Sequence, residues 1–256
     1  MYCTVLYCTV LYCTVHRPLA AEQKNRAPLS GPPGFSCPDG GKLVYCILKS
    51  YVRGNPEAGG NPMKLMVIDG NSIVNRAFYG VHMLTTRDGQ PTNAVYGFLT
   101  ILQKLVDEEK PDALCCTFDR KAPTFRHLAY EGYKAQRKGM PDELASQMPI
   151  LKDVLDAMNI PRYEMDGWEA DDLIGTISVK DAAAGWDTVV VTGDKDSLQL
   201  VTDRTRVKLV STRMGQTTTK EMTPETFREA YGFEPIHMVD LKALMGDTSD
   251  NIPGVK

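Results

Sequence analysis

Nine carboxylates fall where strands should end and helices begin. They are Asp69 in VIDGN, Asp119 in CTFDR, Glu169, Asp171 and Asp172 in WEADDLIG, Asp194 and Asp196 in VVVTGDKDS, and Asp247 and Asp250 in MGDTSDNIPG. Four of the five clusters directly follow an apolar run. If those runs are parallel strands, their carboxyl ends converge on one sheet edge, where open α/β folds bind ligands. So many anions share one pocket only when cations neutralise them. An all-oxygen donor set selects Mg²⁺ or Mn²⁺. Two such ions side by side are the usual device for breaking a phosphate ester.

Three of the five clusters also have a plainer reading. The first turn of a helix favours carboxylates through its dipole, which alone would explain Glu169, Asp171 and Asp172. On a helix, Glu169 and Asp172 share a face and Asp171 points elsewhere. Asp194 and Asp196 suit the cap of a helix beginning near Ser197. Asp247 and Asp250 lie in a Gly-Pro loop, where Asp is a common turn former. The joint pattern outweighs these readings, because five clusters at element ends call for one cause.

The second constellation is RKAPTFRHLAYEGYKAQRK, residues 120–138. It carries Arg120, Lys121, Arg126, Lys134, Arg137 and Lys138 against a single acid, Glu131, with Phe125, Tyr130 and Tyr133 interleaved. Basic groups grip phosphates and aromatic rings stack on unpaired bases. The bland alternative is a solvated charged loop with anchoring aromatics. Its place directly after Asp119 favours the nucleic-acid reading. The four histidines, at 16, 82, 127 and 237, show no metal-binding spacing. No GxxxxGK[ST] phosphate loop and no GxSxG nucleophile elbow is present.

Alternating elements must position these groups. Apolar runs predict buried strands over 64–68, 113–118 and 188–192, with a short strand over 160–163 and edge strands over 207–210 and 217–219. Helical spacing predicts helices over 72–79, 93–108, 169–184, 223–231 and 235–245, and one over 142–158 with a kink or restart at Pro149. The result is an α/β fold with a mostly parallel central sheet and helices on both faces.

The chain has 256 residues, 43% hydrophobic and 24% charged, with net charge −3. That is an ordinary globular balance and argues against a generally basic nucleic-acid coat. Charge is uneven: residues 1–62 hold 6 basic and 3 acidic residues, and residues 63–256 hold 23 and 29. No apolar run approaches the roughly 18 residues of a membrane span. Five of seven cysteines lie in the first 62 residues. Cys115 and Cys116 are neighbours on one strand and point to opposite faces, which disfavours a disulfide and suits a reduced cytoplasmic setting. The chain opens on a five-residue repeat, YCTVL-YCTVL-YCTVH, followed by Pro- and Gly-rich coil. Met63 then begins a clean strand, so residues 1–62 are expected to be a leader outside the fold, with Met63 the natural first residue.

At these stretches the chain resembles the 5′-nuclease, or flap endonuclease, family, and most of all the 5′→3′ exonuclease domains of bacterial DNA polymerase I. The likeness runs from Met63 to Lys256 through VIDGNSIVNRAFYG, CTFDRKAPTFRHLAYEGYKAQR, MDGWEADDLIGT, VVVTGDKDSLQLV and LMGDTSDNIPGVK. It implies a PIN-like catalytic domain over 63–235, with a helical arch over 120–142. It implies that Asp69, Asp119, Glu169 and Asp171 hold a first divalent metal, with Asp172 nearby. Asp194, Asp196, Asp247 and Asp250 would hold a second, some through water. Lys134 and Arg137 would contact the scissile phosphate, and Tyr133 would stack on a flipped terminal base. Residues 236–256 would begin a helix–three-turn–helix element that grips duplex backbone with a K⁺ ion, and that element and its K⁺ site are expected to be incomplete. The implied substrates are DNA with 5′ flaps, nicks or single-stranded 5′ ends and RNA primer–DNA hybrids, cut by a monomer in replication and repair. Two other readings stand beside this one: a catalytically impaired DNA-binding fragment, and a PIN-type ribonuclease, against which the long basic arch argues. A DxD phosphatase is disfavoured, because Asp69-Gly70-Asn71 breaks its motif.

Overall fold

Three apolar runs form the middle of one six-stranded sheet: β1 (Lys64–Asp69), β2 (Ala113–Thr117) and β4 (Asp187–Thr192). The structure, a computed structural model, describes residues 62–213 and 216–255. The leader expected over 1–62 therefore lies outside the described residues, Pro62 aside. With β3 (Arg162–Tyr163), β5 (Thr205–Arg213) and β6 (Gln216–Met222), the strand order is β3-β2-β1-β4-β5-β6. All neighbours are parallel except β5 and β6. Parallel strands are buried on both faces, which is why their sequences are continuously apolar rather than alternating.

The helices are α1 (Gly70–Gly80), α2 (Asn93–Glu109), α3 (Phe125–Ala129), α4 (Asp142–Ala145), α5 (Gln147–Ala157), α6 (Ala170–Ala183), α7 (Pro224–Tyr231) and α8 (Met238–Met245). One sheet face presents Met66, Ile68, Cys116, Val189 and Val191 to Ile73, Phe98, Leu102, Leu151 and Leu155 of α1, α2 and α5. The other presents Leu65, Val67, Cys115 and Val190 to Ile174 and Ile177 of α6, Phe227 of α7 and Met238 of α8. Cys115 and Cys116 are thus free thiols on opposite faces. The chain runs outward from β1 to β2 and β3, then returns to place β4 on the other side of β1. That reversal opens a crevice beyond the carboxyl ends of β1 and β4. Gly70 is needed at its floor, because a Cβ there would lie 2.3 Å from the ring of buried Phe118.

The structure departs from sequence expectation at five places. The helix over 142–158 is two helices, broken at Ser146 rather than at Pro149. Proline lacks the N–H that would bond the carbonyl four residues earlier, so its effect falls at Ala145, and Pro149 itself rests in the first turn of α5. β5 is an inner strand longer than expected. Its Arg206 and Lys208 look like edge residues but turn inward to ion pairs with Glu109 of α2. Residues 235–245 split into a 3₁₀ turn over Pro235–His237 and α8, and the element near Ser197 is a 3₁₀ turn over Lys195–Leu200. The segment 120–142 holds only five-residue α3 and then a run of turns. Lys134 there has φ +54°, a left-handed backbone that ends any helix passing through it.

Asp181 on α6 is fully buried, and its carboxyl oxygens make no hydrogen bond. Burial pushes its pKa up to about 7, with the nearby Thr188 hydroxyl acting weakly against this. The folded protein thus holds a proton that the unfolded chain releases above its ordinary value of 3.8. Stability from this group is full below the ordinary value, falls as pH rises to about 7, and is level above that. Asp181→Asn should remove this slope. Urea unfolding of wild type and variant across that pH range checks it, and parallel curves would contradict it.

Candidate active site

The crevice is built from element ends. Asp69 terminates β1 and caps α1, its Oδ1 accepting from the Ser72 N–H at 3.0 Å. Its Oδ2 accepts from the Thr192 hydroxyl at 2.6 Å, which ties it to the end of β4. Asp119, just beyond β2, accepts from the Ala170 N–H at 2.7 Å and from Asn71 Nδ2 at 2.8 Å. One carboxylate thereby joins the starts of α1 and α6. Asp194 caps the 3₁₀ turn after β4, accepting from the Asp196 N–H at 2.9 Å. The preceding Gly193 donates to Ser72 Oγ at 2.8 Å, and its carbonyl accepts from Arg76. A Cβ on Gly193 would overlap the Arg76 guanidinium. Asp247 lies in β7 (Gly246–Asp247), which pairs with β8 (Ile252–Pro253), and it accepts from the Ser249 N–H at 2.8 Å.

Eight of the nine acids line one cleft of about 250 Å³: Asp69, Asp119, Glu169, Asp171, Asp194, Asp196, Asp247 and Asp250. Their electrostatics is strained. Burial, then repulsion from Asp119 and Asp194, pushes Asp69 up to about 6 against hydrogen bonds from Thr192 and Ser72. Burial and the charges of Asp69, Asp194 and Asp119 hold Asp171 well above the carboxylate range. Asp194 has an exposed outer edge, yet the cleft wall desolvates it and Asp196 repels it, so its pKa is also raised. Burial works against ionisation of Asp247, but Ser249 and the Lys242 ammonium outweigh it and lower its pKa. Among the described residues, no three His, Cys, Asp or Glu side chains already close around one point. The all-oxygen donor set still fits hard divalent cations, which keep several waters and need only one or two direct carboxylates. Positive charge entering the cleft would offset both the burial and the repulsion that raise these pKa values.

Asp172 is the ninth acid, and it turns away. Arg126 holds it with two hydrogen bonds of 2.8 and 2.7 Å, both partners buried. This pair corrects two expectations, since neither group is free to serve as metal ligand or phosphate grip. Asp172 also accepts from the Glu169 N–H at 3.0 Å, capping α6. Tyr133, expected to stack on a base, is 3% exposed. Its hydroxyl donates to both Glu169 oxygens at 3.1 and 3.0 Å, and burial followed by the Glu169 charge raises its pKa. Lys134 Nζ reaches Glu169 at 2.6 Å, and Arg137 pairs with Asp250. Both cations therefore line the cleft mouth. Arg120 is half-exposed and pairs with Asp166 at 2.9 Å, Tyr130 is 37% exposed, and Lys121 and Lys138 are exposed.

Sequence reasoning missed Asn71, Ser72, Thr192 and Lys242. The first two are legible only as polar neighbours of Asp69. Lys242 Nζ sits 2.6 Å from Asp196 and 3.3 Å from Asp247. In the sequence it is one more lysine on a helix, and nothing marks it.

Asp172→Ala should destabilise the fold by about 3–5 kcal/mol, because it removes both hydrogen bonds of the buried Arg126 guanidinium and leaves it only Glu169 at 3.5 Å. Asp194→Asn should leave stability unchanged or raise it, because it removes one charge from a repelling cluster. Thermal unfolding without added metal separates the two roles, and equal losses would contradict them.

The fold and cleft have relatives. The family described as "5'-3' exonuclease, N-terminal resolvase-like domain" matches residues 64–232. DNA polymerase I of Caldicellulosiruptor bescii is 46% identical over 194 residues, covering 76% of this chain and 23% of that protein. DNA polymerase I of Bacillus subtilis is 46% identical over 192 residues, covering 75% and 22%. The chain thus spans less than a quarter of the length of these relatives. Among solved structures, T5 5′-exonuclease with bound zinc superimposes with TM-score 0.59 at 23% identity, covering 75% of this chain and 70% of that one. A bacteriophage T5 flap endonuclease variant in complex with DNA and metal ions gives TM-score 0.58 at 22% identity, with the same coverage. By its residues 64–232 the chain belongs to the 5′-3′ exonuclease N-terminal domain family.

Proposed function

We propose that this chain is a metal-dependent 5′ nuclease that hydrolyses phosphodiester bonds in DNA with 5′ flaps, nicks or single-stranded 5′ ends, and in RNA primer–DNA hybrids. The observation that carries the reading is the convergence of eight acids on one cleft at the strand-order switch, with Lys134 and Arg137 at its mouth. Family membership and the DNA-bound T5 relative support it. Asp69, Asp119, Glu169 and Asp171 would hold one Mg²⁺ or Mn²⁺. Asp194, Asp196, Asp247 and Asp250 would hold a second, some through water. When bound, such ions activate water and stabilise the departing 3′-oxygen. The chain's own residues do the rest. Thr192 and Ser72 fix the two oxygens of Asp69, Asn71 orients Asp119, and Tyr133 with Lys134 orients Glu169. Lys134 and Arg137 offer positive charge to the phosphate across the cleft mouth. Exposed Lys121 and Lys138 would extend the backbone contact, and residues 236–256 would meet the duplex. Among the described residues no helix is long and apolar enough to cross a membrane. A cytoplasmic monomer working in replication and repair fits this reading.

A 5′-labelled flap duplex at low salt tests it. Release of short 5′ products is expected with Mg²⁺ and not with EDTA. Asp194→Asn should lower kcat by at least about 10²-fold while DNA binding persists. Binding without metal-dependent cleavage by wild type would leave only a DNA-binding remnant.

A further inference from the structure

We infer that Asn251 is a positioning residue that holds the 130–137 segment in register over the acidic cleft. Resting on the nuclease reading above, the inference adds a residue that neither the acid pattern nor the basic pattern marks. Asn251 has φ +59°, a left-handed conformation that Asn adopts more readily than most residues. From that position it makes three contacts with one segment. Its Nδ2 donates to the Gly132 carbonyl at 2.8 Å. Its Oδ1 accepts from Gln136 Nε2 at 3.2 Å, and its carbonyl accepts from the Tyr130 hydroxyl at 3.2 Å. The flanking residue completes the seam, because the Lys134 N–H donates to the Asp250 carbonyl at 3.0 Å.

The contacts depend on close approach. A Cβ on Gly132 would lie 2.6 Å from the Tyr130 ring, so the glycine lets the tyrosine fold back toward Asn251. The segment itself contains only turns, and it places Lys134 in the left-handed region, where a lysine is strained. A strained, turn-built segment keeps one geometry only when its neighbours fix it. Asn251 supplies that constraint from the loop that also carries Asp250. The seam thus adds to the direct Tyr133, Lys134 and Arg137 contacts in fixing the two cations against the acids, where no helix does so.

Two substitutions test the role. Asn251→Gly keeps the left-handed backbone without strain and removes only the side-chain bonds. Asn251→Asp keeps the shape but sets an oxygen against the Gly132 carbonyl. The first readout needs no activity: trypsin cleavage after Lys134, Arg137 or Lys138 of the full chain in EDTA. Cleavage of a locally opened segment tracks its opening equilibrium, so both variants should be cut about tenfold faster, with the thermal midpoint unchanged. The second readout is flap cleavage with Mg²⁺. A shifted pair of phosphate contacts should lower kcat by about 10- to 100-fold, with KM altered far less. Unchanged trypsin rates in both variants overturn the inference, as does a kcat equal to wild type. If wild type cleaves no flap, the nuclease reading fails, and the trypsin comparison alone still decides whether Asn251 holds the segment.

Discussion

Desolvation and crowding of carboxylates in one cleft form the constraint on which this molecule depends. Eight acids crowd one cleft, and three of them, Asp69, Asp171 and Asp194, are held above their ordinary pKa. Nothing in the hydrophobic core asks for this, and a fold selected for stability alone would dilute it. The sheet instead pins each acid at the end of an element, where backbone N–H groups and hydroxyls hold it against its neighbours. Asp69 is held by Ser72 and Thr192, Asp119 by Ala170, and Asp247 by Ser249. Acids desolvated and crowded in this way favour positive charge in the cleft.

The same acids cap the secondary structure, so site and scaffold share atoms. Asp69 caps α1, Asp194 caps a 3₁₀ turn and Glu169 opens α6. The capping reading of the sequence therefore holds at these positions, and the same carboxyls line the cleft. At Asp69 one oxygen accepts from the Ser72 N–H and the other from the Thr192 hydroxyl, and the carboxyl still lines the cleft. Asp172 shows the alternative outcome. Its two oxygens are spent on Arg126 and on the start of α6, and it leaves the cleft.

Much of this was legible beforehand. Long apolar runs mark β1, β2 and β4, because parallel strands must be apolar on both faces, and the acid after each run marks the sheet edge. Less legible was everything set by long-range pairing. Lys208 reads as an edge residue until Glu109 is found beside it. Arg126 and Tyr133 read as nucleic-acid contacts until Asp172 and Glu169 are found beneath them. Local pattern gives a residue's type and face; it cannot say which opposite charge lies 40 or 100 residues away in sequence. Lys242 and Asn251 were invisible for the same reason. A lysine on a helix and an asparagine in a turn are common residues whose meaning comes only from what faces them.

Under the proposed function the crowded acids hold two divalent ions. The most direct test is anomalous diffraction from crystals of the chain soaked in Mn²⁺. The account predicts two peaks inside the cleft, one beside Asp69, Asp119, Glu169 and Asp171 and one beside Asp194, Asp196, Asp247 and Asp250. Peaks only outside the cleft, or none, would contradict it.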